Sequence, residues 1–247
     1  MAPSLLSLPS ELRIEIFKYL LVQREPIVIR QRPFHELEPN ILSTNKLFLV
    51  EGRPLLYGYN CFSFGPYSSD MALPHFIDVI GSINASHLWN IYIDFPNVCK
   101  IEDEVSLRDE SLHMLKMIQE KCTNLQKLTT AAETTYEMEA KLESFDSPKL
   151  YDKALGLVAA HFRTIPSLQK VVVEVYEEGT SLDIRKKMEN LGWIPEVVKP
   201  MEKAEWDFEW DMEERWSPDM LDDDDDDDYD DDYDIDNDSD FWRRAAD

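Results

Sequence analysis

The sequence predicts a protein of the α+β to α/β class, in which helices alternate with short parallel strands before an acidic tail. Hydrophobic residues make up 43% of the chain, as in an ordinary globular domain. Three stretches each place a helical pattern before a short aliphatic strand. Residues 202–247 contain 23 Asp and Glu but 4 Lys and Arg, whereas the remaining residues contain 27 and 21. The acidity therefore belongs to the tail, and the preceding part is nearly balanced.

The first region, residues 1–66, opens with the segment LLSLPSELRIEIFKYLL, which predicts a helix. Pro9 suits its first position, where a missing N–H costs nothing, and Glu11 lies in the first turn, where the helix dipole favours an anion. Arg13 is expected on the polar side. The opposite, apolar face is predicted from residues that recur at four-residue spacing, namely Leu12, Ile16 and Leu20.

A change of pattern comes after this helix. Residues 26–30 contain three consecutive β-branched residues and predict a short strand, and the prolines between residues 23 and 39 argue against a long helix. A helix is expected to resume near Asn40 and to end at Gly58, with a break or kink at Pro54. Residues 60–64 predict a second short strand.

The body, residues 67–200, contains three predicted helix–strand units. Their strands share the pattern Leu-x-x-aliphatic, and the first leucines, Leu88, Leu125 and Leu168, lie 37 and 43 residues apart. A helix between successive strands implies parallel strands with crossover connections. This is the logic of a leucine-rich-repeat-like array, and an α/β sandwich with three such strands is the alternative. The helices are predicted at about 74–83, 107–122 and 149–164, before strands at 87–93, 125–130 and 168–173.

The C-terminal part loses this pattern. A last helix is predicted from Ser181 to Leu191, ending at Gly192, and residues 193–198 can add an edge strand. Residues 201–217 are an acidic-aromatic linker that can dock on the body or be held for a partner. Residues 218–247 are predicted to form a disordered acidic C-terminal tail, because like charges repel and few apolar groups offset the ordering entropy.

Two motifs in the N-terminal region together carry a family resemblance. The segment LLSLPSELRIEIFKYLL and the later segment ILSTNKLFLVEGRPLLYGYNCFSF resemble fungal F-box-like proteins, in which an LPxELR helix precedes a Leu-Leu-Tyr-Gly-x-Asn-x-Phe element. The resemblance covers about residues 5–64, with a Pro-rich insertion at 23–39. A leucine-rich array often comes after an F-box, and the predicted body fits this arrangement.

The resemblance implies a substrate-recruiting subunit of a cullin-type ubiquitin ligase. Such a subunit holds a Skp-type adaptor through apolar helix contacts and presents a protein substrate on its body. The alternative for the same stripe is that it caps the core of the body, as an open repeat stack requires. The adaptor face implied by the resemblance consists of Leu8, Pro9, Glu11, Leu12, Ile16 and Leu20.

The sequence argues against several classes of function. Clustered Lys and Arg for nucleic acid or anionic membranes are missing, and no apolar window approaches the roughly 20 residues of a membrane span. The N-terminus lacks the pattern of a signal peptide, and Cys61, Cys99 and Cys122 lack the spacing of a zinc site. We expect reduced thiols and a cytoplasmic or nuclear location.

Catalytic motifs are also missing. The glycines form neither a dinucleotide-binding nor a phosphate-binding loop, and the five histidines include no HExxH pattern. The acidic residues around 102–104 are interpreted as a solvated loop. The sequence therefore predicts a protein that is not an enzyme and uses no metal or cofactor.

A second function class stays open beside the ligase hypothesis. The chain can be an adaptor-independent interaction protein, or a chaperone-like one, whose acidic tail attracts basic proteins over long range. The two hypotheses differ in whether the N-terminal helix or the tail makes the defining contact.

Overall fold

The computed structural model describes residues 4–29, 37–101, 104–143, 148–177 and 182–199. The predicted linker at 201–217, the predicted tail at 218–247 and residues 30–36 of the Pro-rich insertion lie outside these ranges. In the described part the helices are α1 Ser10–Leu21, α2 Ile41–Thr44, α3 Lys46–Tyr59, α4 Ser69–Ala85, α5 Asp109–Lys121, α6 Ala132–Glu143, α7 Pro148–Arg163 and α8 Leu182–Asn190. The strands are β1 Ile27–Val28, β2 Cys61–Ser63, β3 Asn90–Ile93, β4 Val98–Ile101, β5 Glu104–Leu107, β6 Lys127–Thr130, β7 Lys170–Tyr176 and β8 Ile194–Val198.

Six of these strands form one parallel sheet. Their order in space, β1-β2-β3-β6-β7-β8, is their order in the sequence, and β4 and β5 form a separate antiparallel hairpin. This arrangement confirms the predicted α/β class with helix–strand units and parallel strands. The sheet crosses residue 66 without interruption, since β2 pairs with β3.

The leucine pattern has a direct structural cause. Ile91 of β3, Leu128 of β6 and Val171 of β7 are partners in successive strand pairs, and all three are buried. Leu88 and Leu125, three residues earlier, are fully buried as well. Each unit therefore contributes equivalent side chains to one continuous hydrophobic core, which is how stacked repeats gain stability.

The C-terminal unit matches the prediction closely. Gly192 has a φ of +86° after α8, which is the left-handed conformation that ends many helices. Trp193 then packs against Phe95 and Phe162, with ring centroids 5.9 and 5.7 Å apart. Strand β8 pairs with β7, and Pro195 lies opposite Val173. The predicted edge strand is confirmed.

Three boundaries in the N-terminal region differ from the prediction. Pro9 precedes α1 as its N-cap. The helix expected near 40–58 is two helices, because Asn45 is extended and its side chain accepts the N–H of Leu47 at 2.8 Å. Helix α3 then continues through Pro54 to Tyr59. Pro54 has no N–H to donate to the carbonyl of Val50 one turn earlier, and Val50 lies on the exposed side of α3.

Two elements were not predicted. The β4–β5 hairpin occupies the region interpreted as a solvated acidic loop, and Glu104 belongs to β5. Helix α6 lies between β6 and α7, so the third unit contains two helices. Its sequence, AETTYEMEAKLE, is polar and lacks a strong apolar period, which is why the pattern did not reveal it.

The side chain of Asn60 joins three elements at the start of the sheet. Its Nδ2 donates to the carbonyl oxygens of Leu21 and Leu56, each at 2.7 Å, and its Oδ1 accepts the N–H of Gln23 at 2.9 Å. Asn60 is 1% exposed, so water cannot replace these bonds. The end of α1, the end of α3 and the segment leading to β1 are therefore held together by one amide.

We expect Asn60→Asp to destabilise the protein by about 3 kcal/mol, because two donors are lost and two buried carbonyls lose their partners. The measurement is urea unfolding at neutral pH. Asn124→Asp is the matched control, since the exposed Asn124 donates one bond to the carbonyl of Ser86. Equal losses in the two variants would contradict the assigned role of Asn60.

Candidate functional site

Helix α1 has a buried face and an exposed face. Phe17 and Leu21 are fully buried, whereas Leu12 is 52% and Tyr19 86% exposed. The sequence placed Arg13 on the polar side, and this is wrong, because Arg13 is buried on the same side as Phe17 and Leu21. At 100° per residue, positions 13, 17 and 21 form one stripe, and position 12 lies about a quarter turn away from it.

The six residues of the expected adaptor face do not share one environment. Pro9, Glu11 and Leu12 are exposed, and Leu8 and Ile16 are half-buried. Leu20 is half-buried and packs against the core. The outward surface of α1, here called the α1 surface, therefore consists of Leu8, Pro9, Glu11, Leu12 and Ile16, and Leu20 forms its inner border.

A buried ion pair explains the orientation of α1. Arg13 Nε donates to Glu51 Oε2 at 2.8 Å and Nη2 donates to Glu51 Oε1 at 2.5 Å, while Nη1 donates to the carbonyl of Leu8. This two-point contact links α1 to α3, and hydrogen bonds from Arg13 hold the pKa of Glu51 below its ordinary value. The charge of Arg13 is thus compensated where the helix meets its neighbour.

Close packing completes the inner side of α1. The rings of Phe17 and Phe48 meet edge to face, with centroids 5.3 Å apart. Gly52 of α3 faces Leu21 and Leu42, and any larger residue there would overlap their side chains. These contacts commit one side of α1 to the core and leave the α1 surface outside it.

The second motif of the resemblance is internal. Leu55, Leu56, Tyr57, Asn60 and Phe62 are all buried, and the rings of Tyr57 and Phe62 stack with centroids 5.9 Å apart. The two motifs therefore differ in burial. The second motif lies in the core, whereas the first has one side in the core and one side in solvent. Other exposed apolar residues of the N-terminal region are Leu6, Tyr19, Leu47, Val50 and Tyr59.

Groups with reactive chemistry are not concentrated at the α1 surface. Burial raises the pKa of Cys61 to about 11 and that of Cys122 to about 12, so both thiols are protonated at neutral pH and are poor nucleophiles. No group of three or more His, Cys, Asp or Glu within the described ranges could hold a metal ion. Among the helices of those ranges, none has the length and hydropathy of a membrane span.

A cavity of about 350 Å³ lies beside the carboxyl end of β3. Asp94 forms part of its wall and accepts hydrogen bonds from the N–H groups of Tyr67 and Ser69, at 2.8 and 2.9 Å. Tyr67 has a φ of +68°, a conformation that costs about 1 kcal/mol outside glycine. The sequence did not indicate this cavity, because one of its walls is the unpredicted helix α6.

Comparison of the chain with protein-family models, with curated proteins and with solved structures gave no match.

The two faces of α1 should differ sharply in their contribution to stability. We expect Leu21→Ala to cost about 3 kcal/mol, because it leaves a cavity in the core. Leu12→Ala, the same change on the exposed face, should cost less than about 1 kcal/mol. Urea unfolding of both variants measures the difference. A large loss for Leu12→Ala would contradict the exposed position of this side chain.

The Arg13–Glu51 pair should make stability depend on pH. The pKa of Glu51 is lower in the folded chain than its ordinary 4.5, so the stabilisation is present above pH 4.5 and is lost as the pH falls through the folded-state pKa. We expect Glu51→Gln to be less stable than wild type at neutral pH and the difference to shrink in acid.

Urea unfolding over a pH series measures this convergence. Glu15→Gln is the control, because Glu15 forms only an exposed pair with Lys18 and should change stability little at any pH. A constant difference between Glu51→Gln and wild type across the series would exclude the proposed linkage.

Proposed function

We propose that this chain is a non-catalytic protein-interaction module that recruits substrates as an F-box-type subunit of a cullin ubiquitin ligase. In this role the α1 surface binds a Skp-type adaptor, and the helix–strand body carries a protein substrate to the ligase. The chemistry belongs to other subunits. A cytoplasmic or nuclear location, where such ligases act, is part of the proposal.

One observation carries this proposal, namely the exposure of Leu12 on a helix whose other face is fully buried. A leucine that only capped the core would be covered, whereas Leu12 is 52% exposed and packs outside the core cluster. Pro9 and Glu11 are exposed next to it. An apolar helix surface with a polar margin fits an apolar groove of a partner.

The rest of the helix supports the same role. Arg13, Phe17 and Leu21 anchor α1 to α3 independently of the exposed residues, so a partner meets a surface that is already in place. Preorganisation of this kind reduces the entropy cost of binding. The ion pair between Arg13 and Glu51 fixes the rotation of α1 about its axis, because it makes two parallel hydrogen bonds.

Co-precipitation of the full chain with a Skp-type adaptor tests the proposal. We expect Leu12→Asp combined with Ile16→Asp to abolish binding, since two charges would enter an apolar contact. Leu182→Asp is the control, because Leu182 is also an exposed leucine but lies at the start of α8. Circular dichroism should show the same helix content in all three proteins.

Absence of the adaptor from the wild-type pull-down would overturn the proposal. In that case the alternative hypothesis, in which the acidic tail binds basic proteins without an adaptor, makes its own prediction. Deletion of residues 218–247 would then abolish capture of basic proteins, and raising the salt concentration would weaken it in the intact chain.

A further inference from the structure

Three tyrosines and three glutamates come together near the carboxyl-terminal edge of the sheet. Tyr67 precedes α4, and the other members belong to strands β3 and β7 and to helix α6. We call this group the tyrosine cluster, and it consists of Tyr67, Tyr92, Tyr176, Glu133, Glu137 and Glu174. Neither the α1 surface nor the proposed adaptor contact uses any of these residues.

A hydrogen bond joins two members of the cluster, and a ring contact joins a third member to α6. Tyr92 Oη donates to Glu174 Oε2 at 2.6 Å, across the strand that separates β3 from β7. The ring of Tyr176 meets that of Tyr136 on α6, with centroids 6.4 Å apart and planes at 62°. Tyr67 is 63% exposed, so a binding partner can reach it.

The electrostatics of the cluster favour a cation. Burial and the carboxylate of Glu133 raise the pKa of Tyr176 to about 12, and burial and Glu137 raise the pKa of Tyr67. The hydroxyls therefore stay protonated at neutral pH, as donors beside the glutamates. Tyrosine rings present negative faces to a cation, and the glutamates add three carboxyl groups, of which Glu174 has a pKa raised by burial.

The adjacent cavity provides room for an extended side chain. It shares Tyr67 and Glu137 with the cluster, and its wall includes the exposed side chain of Met71. Lys141 also lines the cavity, and its Nζ donates to Asn97 Oδ1 at 2.8 Å. Apolar room beside negative charge suits the methylene stem and charged head of a Lys or Arg. The charged groups of the wall are two cations and four carboxylates, namely Arg108, Lys141, Asp70, Asp94, Glu110 and Glu137.

We propose that the tyrosine cluster and the cavity beside it bind Lys or Arg side chains of a basic protein segment. Resting on the proposed function, this inference names the substrate class, namely proteins that carry an exposed basic segment. Charge complementarity at the cluster would steer such a segment to the body and set its register.

The test is a titration of the full chain with synthetic hexalysine at physiological salt, monitored by nuclear magnetic resonance of labelled methionine methyl groups. Met71 lines the cavity, whereas Met188 is fully buried in the core and reports on the fold. We expect the Met71 signal to shift and saturate while that of Met188 stays in place. Glu133→Gln combined with Glu137→Gln should weaken binding by about tenfold.

The control variant removes the same charge elsewhere. Glu15→Gln combined with Glu120→Gln changes two exposed carboxylates on α1 and α5 and should leave the Met71 titration unchanged. Peptide binding to the acidic C-terminal segment alone would shift only the signals of its own methionines, such as Met212 and Met220. That result, or equal affinities for the two double variants, would overturn the inference.

The hexalysine titration and the adaptor co-precipitation can succeed or fail independently. The variant with Leu12→Asp and Ile16→Asp should keep the Met71 response, since the α1 surface and the tyrosine cluster lie on different elements. A responding chain that does not bind the adaptor refutes the proposed function alone. A chain that binds the adaptor without a Met71 response refutes the inference alone.

Discussion

The three hydrogen bonds of the Asn60 side chain are the constraint on which the N-terminal architecture depends. They close the end of α1 onto the end of α3 at the residue just before β2, so both helices are placed relative to the first pair of parallel strands. The direction of α1 is thus set at its C-terminal end by an amide and nearer its start by the Arg13–Glu51 ion pair. Two polar contacts, one at each end, decide which side of α1 meets solvent.

This arrangement confines the stabilising contacts of α1 to one face of the helix. Phe17 and Leu21 contribute apolar burial, and Arg13 contributes geometry. Leu12 contributes to neither the apolar burial nor the geometry of α1, so its side chain remains available for another contact. Under the proposed function, the exposed side chain of Leu12 is the apolar group that a groove of the partner would receive.

The sequence predicted the parallel helix–strand architecture because its signal is periodic. Leu88, Leu125 and Leu168 repeat with the strands, and the helices between them leave only crossover connections. It failed at α6, whose sequence is polar and has no clear period, and at the β4–β5 hairpin, whose strands are only four residues long. It also placed Arg13 on the polar side of α1, because a side chain that is buried in an ion pair cannot be distinguished by type from a solvated one. The tyrosine cluster could not be predicted because its members come from separate segments of the chain, whose arrangement only the fold specifies.

Among the described residues the sheet ends at β8, a strand whose sequence discourages further pairing. Pro195, the second residue of β8, lacks a backbone N–H, and the exposed Glu196 follows it. A chain that tried to extend the sheet there would lose one hydrogen bond and would have to accommodate a carboxylate. The last strand in the order of the sheet, β8, is therefore a poor template for another strand. Pairing of a further strand with β8, including the β8 of a second copy, is therefore disfavoured.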